Sequence, residues 1–271
     1  MSMRILKTLA ILGLVTLASS FALTGCDKKS EASNVVTVGI VDGPETKIWE
    51  TVQEVALQKY GLHVKLVTFS DYTMPNEALN NGEIDANAFQ HMPFLVAQIN
   101  DHHYDIVPIA KTFVYPIALY SKKIKTSSQF QDGDKIAIPN DPSNEARALL
   151  LLQQGGLITL KTGTDVKATV VNIATNPKHL KIVELDAAQL PRVLPDVTGA
   201  VINNDFAQPA GLTKDAAILI ENKNSPYMNI IAVRPTEVNK KKIRELVESY
   251  QSPEVKAEAF KLFGDNAIAG W

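Results

Sequence analysis

The chain predicts an α/β fold built as two similar lobes. Three observations lead there. Runs of β-branched and apolar residues alternate with helical, 3.6-periodic segments along the chain. A strand–turn–helix opening near residue 35 recurs near residue 135. The 246 residues from Cys26 onward suffice for two lobes of about 100–120 residues each.

The elements follow in order. Val35–Val41 reads as a strand, Asp42-Gly43-Pro44 as a turn, and 45–59 as a helix with Ile48, Val52, Val55 and Ala56 on one face and Gly61 past its end. Strands are predicted at 64–69 and 84–89, around a short helix at 75–80 that stops at Asn81-Gly82. A helix at 93–100 precedes a strand at 106–108. Residues 112–120 form an apolar strand interrupted by Pro116, which suits a sheet edge or a crossing between lobes. The second half repeats the pattern: strand 135–138, turn 139–144, and helix 145–154 ended by Gly155-Gly156. Strands are expected at 166–168, 181–185, 199–202 and 229–233, with a proline-interrupted helix at 187–194. Two helices close the chain, 239–250 and 253–263, the latter opened by Ser252-Pro253-Glu254: N-cap, proline at the first position and an acid in the first turn.

The first 25 residues have the layout of an export signal. Arg4 and Lys7 precede a mostly apolar run from Ile5 to Leu23 with small residues toward its end. The run closes on Leu23-Thr24-Gly25-Cys26, and Cys26 is the only cysteine. That tetrapeptide resembles a bacterial lipobox, which implies cleavage before Cys26, lipidation of its thiol and acylation of the new amino terminus. Two or more acyl chains anchor stably where one binds marginally. An uncleaved spanning helix is the competing reading, since the run nearly reaches spanning length. Residues 26–34 then form a lipidated cysteine and flexible polar tether. Asp27 after the cysteine favours retention in the inner membrane, with the body in the periplasm or otherwise outside the cytoplasmic membrane.

Composition excludes several classes. Without the signal, 25 basic residues face 29 acidic ones, a formal charge of −4 with mixed signs, unlike the basic stripe of a nucleic-acid partner. With its one cysteine given to lipid, the chain has no disulfide and no thiolate metal site. No second apolar run reaches spanning length. No G-x-S-x-G, H-E-x-x-H, phosphate loop or G-x-G-x-x-G occurs, and no nucleophile stands with a base, so the expectation is a protein that is not an enzyme and needs no cofactor. The pair His102-His103 reads as a solvated loop rather than a metal site, because neighbouring residues rarely point the same way.

The candidate binding residues lie at strand ends and at one helix start, where open α/β sheets hold ligands. Arg147 is expected in the first turn of its helix, beside free N–H groups that attract an anion. A two-pronged grip on a carboxylate fits it, with pairing to Glu145 or Asp141 as the alternative. Asn140, Asn203 and Asn229 end predicted strands, as do Tyr72, Phe89, Tyr115 and Tyr227. Singly, asparagines make turns and aromatics fill cores. Together with Arg147 they suit a zwitterion with an apolar side chain.

Several blocks in series then carry a resemblance. They are Val67-Thr68-Phe69-Ser70-Asp71-Tyr72, Asn76-Glu77-Ala78-Leu79, Ile84-Asp85-Ala86-Asn87-Ala88-Phe89-Gln90-His91 and Thr112-Phe113-Val114-Tyr115-Pro116-Ile117-Ala118. The second half adds Ile138-Pro139-Asn140-Asp141-Pro142-Ser143-Asn144, Ala200-Val201-Ile202-Asn203 and Ser225-Pro226-Tyr227-Met228-Asn229. Over nearly all of the mature chain they resemble the methionine-binding lipoproteins of the NlpA/MetQ family. The resemblance implies a type II periplasmic-binding-protein-like fold, two α/β lobes with a ligand cleft between them, lobe 1 being 35–114 plus 230–271 and lobe 2 being 115–229. It implies capture of L- or D-methionine for an ATP-driven importer made of a permease and an ATPase. Carried over by motif, Tyr72, Phe89, His91 and Tyr115 would line the side-chain pocket, Arg147 would hold the carboxylate, and Asn140, Asn203 and Asn229 the polar ends. Asn204-Asp205-Phe206 departs from the family pattern, being more acidic than expected, with phenylalanine in place of a tyrosine. A methionine-containing dipeptide or another apolar amino acid is the alternative ligand. A periplasmic hydrolase and a ligand-free adhesin or scaffold are the rival classes.

Overall fold

In the computed structural model, two five-stranded sheets share one architecture. It describes residues 34–222, 225–264 and 267–271. The signal segment 1–25, the lipidation site Cys26 and all of the tether but Asn34 lie outside the described residues.

The first sheet runs in the order His63–Phe69, Val35–Val41, Ala86–Asn87, Ile230–Val233, Val107–Lys111. Its first three strands are parallel, and Ile230–Val233 is antiparallel to both neighbours. The second runs Lys181–Leu185, Lys135–Pro139, Gly199–Ile202, Ala118–Tyr120, Ala217–Ile220, again with three parallel strands and an antiparallel fourth. In each sheet that fourth strand is the one delivered from the other lobe, across residues 112–117 in one direction and, among the described residues, 221–222 and 225–229 in the other. The two crossings are tied together: Thr112 N–H donates to Asn229 O at 2.8 Å and Glu221 N–H to Ile117 O at 3.0 Å. The lobes are therefore joined by two hydrogen-bonded ribbons, a geometry suited to hinge motion.

Most elements lie where the sequence places them. The helix Glu45–Tyr60 ends on Gly61 at φ 62°, a left-handed cap that a side chain would disfavour. Its face of Ile48, Trp49, Val52 and Ala56 is buried against the sheet and against the terminal helices Lys241–Tyr250 and Pro253–Phe263. Ser252 caps the last helix as its sequence predicts, accepting from Val255 N–H at 3.3 Å.

Four expectations are corrected. The strand expected at 84–89 shortens to Ala86–Asn87, and a buried amide cluster occupies the chain around it. Asn76, Asn87 and Gln90 bond to one another at 2.6–3.0 Å, and Asn87 Nδ2 also donates to Pro75 O at 3.2 Å. The strand expected at 166–168 is a 3-10 turn, Asp165–Lys167. The apolar run around Pro116 breaks into Phe113–Val114, paired with Ile268–Ala269, and Ala118–Tyr120. It does cross between lobes, but Ala118–Tyr120 is interior to its sheet; Pro116 sits in the gap, where its missing N–H interrupts no ladder. The helix expected from 145 begins at Pro142, with Asp141 as N-cap accepting from Asn144 N–H at 2.9 Å. Arg147 consequently lies one turn deeper than its expected first-turn position.

Candidate ligand cleft

The cavity between the lobes is lined by Tyr72, Phe89, Gln90, His91, Phe94 and Tyr115, and from the helix Pro142–Gln154 and the turn beyond Ile202 by Asn144, Arg147, Asn203, Asn204 and Asp205, with Asn229 from the second crossing. Seven of the eight binding residues expected from sequence meet here. Asn140 does not: it is exposed, and its N–H donates to Leu185 O at 2.9 Å. The N-cap turn rotates it outward and presents Asn144 instead, a residue of the same type one helical turn on.

One wall is aromatic. Tyr72 packs against Phe206 at 4.9 Å, Phe89 at 5.9 Å and Phe94 at 6.0 Å between ring centroids, tilted arrangements that suit ring quadrupoles. The free space at the centre is about 20 Å³, room for about one water. A ligand of amino-acid size therefore enters as the lobes part or the walls move.

Arg147 is the only arginine or lysine buried among the described residues. Glu221 receives its fork in bidentate form, Nε to Oε1 at 2.9 Å and Nη2 to Oε2 at 2.5 Å. Nη2 also donates to Tyr115 O at 2.9 Å, and the guanidinium lies 4.6 Å from the Tyr227 ring centroid. The alternative partners Glu145 and Asp141 are engaged elsewhere, with Val170 N–H and with Ser143 and Asn144. Glu221 escaped the sequence reading because 74 residues separate it from Arg147; only the crossing ribbon brings them together.

His91 is neutral. Its Nδ1 accepts from Phe94 N–H at 3.2 Å as a helix N-cap, which places the ring proton on Nε2 and lets it donate to Asn144 Oδ1 at 3.3 Å. Burial, reinforced by the Arg147 charge, pushes its pKa down to about 3.

Asp205 is the carboxylate of the lining, and Glu45 bonds to the lining residue Asn229. Tyr72 donates to Asp205 Oδ2 at 2.7 Å across the cleft, and burial pushes Asp205 up to about 6 despite this bond and the Arg147 charge. Glu45 heads its helix, buried, accepting from Asn229 Nδ2 at 3.3 Å. Burial, and then the Asp205 charge, raise it well above the usual carboxylate range. Asn203 Nδ2 donates to Asn144 Oδ1 at 2.9 Å, while Asn203 Oδ1 is buried without a donor. Tyr115 Oη is likewise unpartnered. Glu45, Asn144 and Gln90 were missed in sequence: each looks like an ordinary helix-start or turn residue until its neighbours are known.

Two α/β lobes on paired hinge ribbons, closing on a cleft with an aromatic wall and a charged floor, define a two-lobed solute-binding protein. A family model described as NlpA lipoprotein matches residues 36–271, and the chain belongs to that family. The D-methionine-binding lipoprotein MetQ of Salmonella typhi is 50% identical over 269 residues, covering 98% of each protein. Lipoprotein 28 of Escherichia coli K12 is 47% identical over 262 residues, 96% of each. Among solved structures, the methionine binding protein MetQ matches with a TM-score of 0.86 at 50% identity, over 88% of this chain and 99% of that one. A nutrient binding protein from Burkholderia cenocepacia bound to methionine matches with a TM-score of 0.85, also at 50% identity, over 87% and 100%.

Proposed function

We propose that this protein captures methionine in the cleft and delivers it to the permease and ATPase of an ATP-driven importer, while Cys26 carries the lipid that tethers it outside the inner membrane. The carrying observation is the juxtaposition of a ring wall of Tyr72, Phe89 and Phe94 with the buried cation Arg147. A thioether against rings gains roughly 0.3–1.5 kcal/mol per contact, and a buried guanidinium gives a carboxylate the partner it needs once out of water. Tyr72, Phe89, His91 and Tyr115 surround the apolar side chain, Arg147 holds the carboxylate, and Asn203 and Asn229 hold polar groups; Asn144 takes the part expected of Asn140. Residues 35–114 with 230–271 form one lobe and 115–229 the other, and the ligand contacts both only when they close.

The names of the relatives support methionine for some members of the family, while Lipoprotein 28 names no ligand, so the ligand is tested directly. Native mass spectrometry of the purified protein should show a mass excess equal to methionine that unfolding and ligand-free refolding removes and added methionine restores. Correctly refolded protein that takes up no methionine would refute the assignment and leave the fold class intact.

A further inference from the structure

The cleft region holds more carboxyl groups than Arg147 can pair with. Its guanidinium fork is already matched by Glu221. Glu45 and Asp205 remain, buried enough to raise both and close enough for the Asp205 charge to act on Glu45. Charged and titratable groups facing Asp205 are Tyr72, which donates to it, Arg147, which favours its ionised form, and Glu45 and Tyr115, both of which its charge pushes up. Two residues before Asp205 in the chain, Asn203, 6% exposed, lines the same cavity with Oδ1 buried and undonated. An unmatched acceptor and a buried carboxyl with no cation paired to it call for a donor that is also a cation. Asn204–Ala207 is too short a turn of helix to supply this through its dipole, so the side chains carry the argument.

We propose that Asp205, with Asn203 Oδ1 lining the same cavity, recognises the ligand's ammonium group, so that the site takes molecules bearing a free protonated amine and rejects their desamino or N-acylated counterparts. The inference rests on the methionine reading above and sharpens it: Arg147 takes the carboxylate end and Asp205 the amine end of one zwitterion. Asp205 is a specificity residue here as well as a closure contact. Its bond from Tyr72 joins the lobes, so ammonium binding and closure act on one carboxylate.

The two roles separate in a titration-calorimetry cycle on the full chain in detergent, with L-methionine and its desamino analogue, methylthiobutanoate, as probes. The wild type should prefer methionine, and Asp205→Asn should cut that preference by about ten- to a hundredfold, the range of a hydrogen bond to a charged group. Tyr72→Phe removes the cross-lobe bond but keeps the carboxylate, and should weaken both probes by a similar factor. If Asp205→Asn, verified as folded by its thermal transition, weakens both probes equally, Asp205 is only a closure contact and the inference falls while the methionine reading stands. The same holds if the variant keeps the full wild-type preference. A wild type that binds neither probe overturns the methionine reading and this inference with it.

Discussion

Glu221 occupies the guanidinium fork of Arg147 with both carboxylate oxygens, at 2.9 and 2.5 Å, although Arg147 is the residue expected to grip a ligand. The pair is nearly buried, with side chains 5% and 12% exposed. Glu221 also accepts from Ser225 Oγ at 3.0 Å and Ile117 N–H at 3.3 Å, both in the crossings. The arrangement neutralises the arginine and pins it to the hinge. A ligand carboxylate then meets a guanidinium already oriented, which lowers the ordering cost of binding.

Glu221→Gln should therefore destabilise the protein. Removing one partner of a buried pair leaves an uncompensated charge and costs about 3 kcal/mol, roughly 6–12 °C in a domain of this size. Methionine brings a replacement carboxylate, so it should raise the melting temperature of the variant more than that of the wild type. Scanning calorimetry with and without methionine checks this; equal ligand-induced rises would show that the ligand carboxylate does not reach Arg147.

Arg147→Ala should cost methionine affinity about a hundredfold or more, since it strips the carboxylate of its partner and leaves Glu221 buried and unpaired. Arg147→Lys should not rescue it, because an ammonium cannot serve Glu221, the Tyr115 carbonyl and a ligand from one planar group. Normal binding by either variant in calorimetry would remove Arg147 from the site.

Asp205 and His91 contribute to the pH dependence of the empty protein with opposite signs, and the raised Glu45 adds to the Asp205 side. Asp205 titrates at about 6 when folded and near 3.9 when unfolded. The native form thus holds the extra proton, and stability falls as pH rises between about 4 and 6. His91 has the opposite sign: its folded value of about 3 lies below the unfolded value near 6.5. Its contribution is present above about pH 6.5 and is lost as pH falls toward 3. Asp205→Asn removes the first component, so stability of the variant from urea unfolding should rise more steeply than wild type between about pH 4 and 6. Parallel curves would contradict a protonated Asp205 in the empty cleft.

Gly43→Ala should hinder closure. A Cβ at Gly43 would stand 3.1 Å from the Asp205 carbonyl oxygen across the cleft, with backbone on both sides of the contact. Overpacking of this kind costs about 1–3 kcal/mol, so methionine should bind about fivefold or more weakly. The empty protein can relieve the contact by opening, and its melting temperature should hardly move. Small-angle scattering with saturating methionine would then show a larger radius than wild type; an identical radius and affinity would place the contact outside the closing motion.

How much of this was legible beforehand follows from the range of each interaction. Local signals were read correctly at Gly61, at Ser252-Pro253-Glu254 and at the repeated strand–turn–helix openings, because caps and periodicity act within one or two turns of chain. Where a local pattern met a tertiary demand, the demand won. The strand expected at 84–89 keeps two of its six residues, beside the Asn76–Asn87–Gln90 cluster. The helix start at Pro142 is a different case, a local Asp141–Pro142 cap signal that was passed over and that leaves Asn140 exposed and Asn144 buried.

The amino-acid sequence by itself determined the α/β alternation, the two-lobe plan, the family and seven of the residues at the cleft. Periodicity, capping and long motif blocks are written along the chain and need no partner to be read. Only the tertiary structure decided that Glu221 neutralises Arg147, that Glu45 and Asp205 are buried close enough to perturb each other, and that Tyr72 bridges the lobes to Asp205 over 133 residues. Those are electrostatic and hydrogen-bond relations between strand ends and crossings distant in sequence. Their strength depends on burial and on separations of a few ångströms, which exist only once both sheets have formed and the ribbons have brought them face to face.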